Sequence, residues 1–274
     1  MFPRDNAVQV KGSHDSEIRF SGSWLLKHIL IALVFLVPSP ALFAAPMNEH
    51  VILLHGLCRT SKSMEKMAHA LSDAGYRVWN VDYPSRTDTV ANLSEAVLAP
   101  AIRDCENAGA TRIHFVGHSL GAILIREYLN RHSLPLAGRV VMLGPPNQGS
   151  EVVDCIGSWR LFQAINGPAG NELGTCSDAM TEPSAPPGVD VGIIAGNRTI
   201  NWINSFVMIP GSDDGKVSVE RTKLKGMADH IVLRTAHPFL MRNRKAIEET
   251  IHFLREGKFR SQSANRSKVT GATK

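Results

Sequence analysis

The stretch FVGHSLGAIL, residues 115–124, sets Ser119 between Gly117 and Gly121 where one apolar run meets another. The first run reads as a strand and the second as a helix, with no spacer between them. Going from strand to helix within one residue forces a strained backbone at the serine. Side chains at 117 and 121 would collide with the neighbouring helix and strand, which is why both positions are glycine. The product of that geometry is a hydroxyl exposed at a strand end. It also sits at a helix N-terminus, whose free N–H groups favour negative charge. That is the setting of a serine nucleophile; an ordinary loop serine needs neither glycine.

A serine nucleophile works with a base and with donors for the oxyanion it creates. The segment VILLHGLCR places His55-Gly56-Leu57 directly after another strand. A loop there lies beside the serine turn and can offer the Leu57 backbone N–H, with the Leu120 N–H as second donor. Two such donors stabilise a tetrahedral intermediate, and losing one costs ~3 kcal/mol. His55 reads as a strut fixing this loop rather than as the base. His118, inside the turn, reads as structural and pointed away from the reacting face.

The elements that must position these groups follow from periodicity. Strands are expected over 51–56, 76–84, 112–117, 138–147, 191–196 and 230–236. Helices are expected over 61–75, 92–109, with Pro100 disturbing it, over 120–132, and over NRKAIEETIHFLREG, which closes the folded part. Continuous apolar strands alternating with helices specify a mostly parallel α/β sheet of about six strands, covered on both faces. Ligands bind such sheets at the carboxyl ends of the strands.

HGL after the first strand, GHSLG, the LGPPNQGS stretch and the later GSDDGKV together resemble bacterial lipases and esterases of the α/β-hydrolase fold, over roughly residues 50–256. The resemblance implies a chain order of nucleophile, acid and histidine, which Ser119, Asp214 and His237 satisfy. His237 directly follows the last strand and precedes Pro238, whereas His230 begins that strand and His252 lies in the final helix. Asp214 precedes Gly215, which permits a tight turn, and Val217 then anchors the loop in the core. Asp213 is expected as its surface partner, capping the turn. The implied activity is carboxylic ester hydrolysis on lipid-like acyl esters. Thioesterase, amidase or acyltransferase chemistry with the same three residues is an alternative, and so is a catalytically silent envelope binding protein. No metal and no organic cofactor is called for, since no cysteine has metal-ligand spacing.

The formal net charge of +5 divides unevenly. Residues 46–256 hold 21 Lys and Arg against 22 Asp and Glu, and residues 257–274 hold five bases and no acid. A near-neutral body argues against a nucleic-acid-binding domain, and the polar basic tail reads as disordered. Residues 1–45 read as a signal peptide: Lys27 and His28 precede nine apolar residues, Ile29–Val37, and small residues follow. The exported chain would then begin between Pro40 and Met47; an uncleaved anchor in the inner membrane is the alternative. Export to the periplasm or beyond follows from either. The hydrolase domain spans 46–256. A cap insertion over about 149–189, with Trp159, Phe162, Trp202, Ile203 and Phe206 near the strand ends, serves either an acyl chain or the core. Membrane association is expected through the N-terminal segment or the substrate interface. Of the four cysteines, Cys155 and Cys176 are expected to pair within the cap. Cys58 and Cys105 lie a helix length apart, beyond the ~7 Å limit between α-carbons.

Overall fold

Alternating apolar residues decide the architecture. In β1 (Glu49–Leu54), Ile52 and Leu54 pack into one hydrophobic cluster and Val51 and Leu53 into another. β4 (Ala137–Leu143) divides in the same way, with Val140 and Met142 on one side and Val141 and Leu143 on the other. A strand that buries both faces needs helices on both. In this computed structural model, which describes residues 48–149, 167–170, 172–173, 183–198, 213–215 and 217–260, it has them.

The remaining strands are β2 (Arg77–Val81), β3 (Arg112–His118), β5 (Val191–Gly196) and β6 (Asp229–Leu233). Their order is β2-β1-β3-β4-β5-β6, and every pairing among the described strands is parallel. The helices are α1 (Glu65–Asp73), α2 (Val90–Asn107), α3 (Leu120–Arg131) and α4 (Arg244–Glu256), with a 3-10 turn at His237–Arg242. α2 and α3 cover one face through Leu98, Ile102, Ile123 and Leu124. α1 and α4 cover the other through Met67, Leu71, Ile247 and Phe253. Each such side chain contributes ~1.5–3 kcal/mol by leaving water.

The helix expected around Pro100 forms: α2 runs for 18 residues through it. The cost of an interior proline, ~3 kcal/mol, is offset by the buried stripe Leu93, Val97, Leu98, Ala101, Ile102 and Cys105. β2 and β6 are shorter than expected, because Tyr83 and Thr235 turn toward loop partners instead of continuing the ladder. Cys58 is exposed and Cys105 is buried, and neither forms a disulfide with the other. Cys155, Cys176, the five cap aromatics and aliphatics, the N-terminal segment and the tail beyond residue 260 lie outside the described residues.

Candidate active site

At the carboxyl edge of the sheet, Ser119 closes β3 with φ 53° and ψ −118°. This region is closed to most L-residues, and holding it costs ~1–3 kcal/mol. Packing imposes it. A Cβ on Gly117 would lie 2.5 Å from the Ala122 backbone of α3, and one on Gly121 would lie 2.5 Å from the His55 carbonyl oxygen. The chain therefore turns tightly enough for α3 to lie directly against β1. The Ser119 N–H donates to the Leu143 carbonyl at 2.9 Å, which ties the turn to β4. Gly121→Ala is expected to destabilise the fold by roughly 1–3 kcal/mol, because the obstacle is backbone that no rotamer change removes. Urea unfolding checks this, and an unchanged midpoint would contradict the packing argument.

The loop after β1 carries the second part of the site. His55 is fully buried, and its Nδ1 lies 2.9 Å from the Gly56 carbonyl oxygen. Its Nε2 accepts the Tyr83 N–H at 3.3 Å, so the bonds assign the neutral tautomer with the proton on Nδ1. Burial also holds its pKa below the usual imidazole value. Tyr83 stacks on the ring at 4.1 Å and donates its hydroxyl to the His55 carbonyl at 2.7 Å. Buried Ser85 accepts the Cys58 N–H at 3.0 Å and holds Cys58 at φ 56°. Between these clamps lies Leu57. Neither its N–H nor that of Leu120, in the first turn of α3, has a backbone acceptor among the described residues.

His237 and Asp214 meet beyond the ends of β4, β5 and β6. His237 Nδ1 is 2.8 Å from Asp214 Oδ2, and the His237 N–H donates to the Asp214 carbonyl at 2.9 Å. Both side chains are almost wholly removed from solvent. The other carboxylate oxygen, Oδ1, accepts the Val217 N–H at 3.0 Å. Gly144, with φ 55°, makes room for the pair: a Cβ there would come within 3.0 Å of His237 Nδ1 and 3.1 Å of Asp214 Oδ2. Gly215 has φ 95°, and Val217 is 2% exposed.

Asp213 differs from the surface partner expected of it. It is buried, bridged to Ser218 across the turn, and accepts the Gly215 N–H at 2.7 Å. His118 does not point away from the site as expected. Its Nε2 lies 3.1 Å from the His237 carbonyl oxygen, and the two rings are 4.9 Å apart. The residue preceding Ser119 thus touches the residue that Asp214 contacts. Neither this contact nor the Tyr83 and Ser85 clamp has a signal in the chain, since each joins residues distant in sequence. Among the described residues, no group of three or more His, Cys, Asp or Glu side chains could hold a metal ion.

Residues 51–238, more than half of the chain, match the family model described as "Alpha/beta hydrolase family". No curated protein matches. Among solved structures, the mature lipase BlEst2 of Bacillus licheniformis is 20% identical, with a TM-score of 0.63 over 79% of this chain and 96% of its own. The metagenomic carboxyl esterase MGS0156 is 18% identical, with a TM-score of 0.52 over 73% of this chain and 68% of its own. Phospholipase PlaB from Legionella pneumophila is 20% identical, with a TM-score of 0.52 over 64% of this chain and 45% of its own. At these identities the likeness is one of fold.

Proposed function

Because the chain belongs to the alpha/beta hydrolase family, we propose that it is a serine hydrolase of carboxylic esters, acting on lipid-like acyl esters through an acyl-enzyme on Ser119. The observation that carries this reading is a strained serine and a buried His–Asp pair at one edge of one sheet. Asp214 holds the proton on His237 Nδ1, which leaves Nε2 as the base. Ser119 Oγ attacks the ester carbonyl carbon while its proton passes to Nε2, and the carbonyl oxygen takes the negative charge. The Leu57 and Leu120 N–H groups receive that oxyanion. The tetrahedral intermediate expels the alcohol, which leaves with the proton from Nε2, and Ser119 keeps the acyl group. Water then gives Nε2 a proton, attacks the acyl carbon, and the acid departs as the serine regains its proton.

A fluorophosphonate probe tests this without knowledge of the substrate. The expected adduct maps to Ser119, and 4-nitrophenyl esters of increasing chain length are hydrolysed. Failure of both labelling and turnover would favour a silent binding protein instead. The chain-length profile separates a lipase from a short-chain esterase.

The Ser85 clamp gives a finer expectation. Ser85→Ala removes the acceptor of the Cys58 N–H and loosens the peptide that aims Leu57. A misaimed donor loses part of what a deleted one loses, so kcat should fall about tenfold with KM little changed. An unaltered kcat would show that Tyr83 alone fixes the loop.

For residues 1–45 the proposal is export by a cleaved leader or retention by an uncleaved anchor. N-terminal sequencing of protein from a periplasmic fraction decides between them. An intact chain in the membrane supports the anchor.

A further inference from the structure

Beside the loop that carries Leu57 lies a cavity of about 850 Å³, bounded by the loops after β1 and β2. Cys58, Arg59, Asp82, Tyr83, Ser85 and Arg86 line it. Arg59 is two residues from the proposed oxyanion donor and half-buried, and no carboxylate among the described residues pairs with it. Its charged neighbour is another guanidinium, that of Arg242, at the end of the 3-10 turn that His237 begins. Lys66 adds a third cation: its Nζ donates to the Arg242 carbonyl at 3.1 Å. Burial and the Arg242 charge both push the Arg59 pKa down, so a positive charge is held where the fold opposes it. Asp82, the acid on the same cavity, accepts the Ser61 N–H at 2.7 Å through Oδ1 and forms no ion pair with Arg59.

We propose that this cavity is a subsite for an anionic group of the substrate, a carboxylate or a phosphate, held by Arg59 and reinforced by the charges of Arg242 and Lys66. Like charges gathered with no ion-paired carboxylate raise the free energy of the unliganded protein, and an anion relieves that repulsion while gaining charge-assisted hydrogen bonds. Arg59 belongs to the loop that carries Leu57, and Arg242 ends the turn that His237 begins. An ester whose anionic group enters the cavity would lie beside the loop that offers the Leu57 N–H. This inference rests on the serine hydrolase reading and narrows its substrates to esters that carry a negative charge.

The test uses binding, so that it does not depend on turnover. Full-length Ser119→Ala protein is titrated calorimetrically with octyl phosphate, octanoate and octan-1-ol at low salt. Either anion, or both, should bind at least about tenfold more tightly than the alcohol, equivalent to about 1.4 kcal/mol, and whichever binds more tightly identifies the preferred head group. Added salt should shrink the difference, because the cations face solvent. Arg59→Glu in the same background should abolish the preference. Arg242→Glu should weaken it and serves if Arg59→Glu does not fold. Equal binding of the alcohol, or an anion preference that survives both charge reversals, overturns the proposal. Hydrolysis of neutral and phosphate-bearing esters of one acyl length by the unmutated chain separates the two claims. Turnover without charge preference defeats the subsite alone, whereas anion binding without any turnover or Ser119 adduct defeats the hydrolase reading alone.

Discussion

Ser119→Ala should lower ester hydrolysis at least ~10³-fold, the scale of loss when a serine nucleophile is removed from such a machine, while leaving the protein folded. The expectation of an intact fold comes from the turn itself. No hydrogen bond from Ser119 Oγ to a described residue supports the structure, whereas its N–H and carbonyl bond Leu143 and Ala122 whatever the side chain is. Alanine inherits both those bonds and the strain. Glycine does not inherit the strain, because φ 53° and ψ −118° is the mirror image of an extended conformation and is open to it. Ser119→Gly should therefore be as inactive as Ser119→Ala yet more stable by ~1–3 kcal/mol. Ester assays and urea unfolding of the two variants check both halves. Residual activity above a few per cent in either variant would remove Ser119 from its role. Equal stabilities would mean that the turn is not strained.

That strain was legible in the chain because its cause is local: two glycines two residues to either side of a serine, between a strand and a helix. The β1 and β4 faces were legible as apolar runs for a similar reason, since a parallel strand buried on both sides leaves no polar period. What escaped the sequence is what long-range contacts decide. His118 sits against His237 across 119 positions, and Ser85 reaches Cys58 across 27. The Arg242 charge acts on Arg59 only because the loop after β1 and the turn after β6 converge. Asp213 was expected at the surface because a paired DD before glycine gives no hint which acid the fold encloses. The bridge to Ser218 encloses both.

Replacing that pair one acid at a time gives the sharpest discrimination. In Asp214→Asn the side chain keeps its shape but must choose an orientation. The Val217 N–H, now 3.0 Å from Oδ1, requires an acceptor and fixes the amide oxygen there. The amide NH2 then faces His237 Nδ1, where Oδ2 now lies at 2.8 Å. A donor there makes Nδ1 the acceptor and moves the ring proton to Nε2, so the imidazole can no longer take a proton from Ser119. The same change in a serine protease costs ~10⁴-fold in kcat by this route, and a loss of that order is expected here with folding retained. In Asp213→Asn the amide oxygen still accepts the Gly215 N–H, and asparagine suits such a turn as well as aspartate does. Its kcat should change by no more than about twofold, within the ~0.5 kcal/mol of a tolerated substitution. Steady-state kinetics of the two variants on one 4-nitrophenyl ester decide the matter. A reversed ranking would make Asp213 the orienting acid. Two silent substitutions would mean that the buried contact between Asp214 and His237 supports the fold and not the reaction.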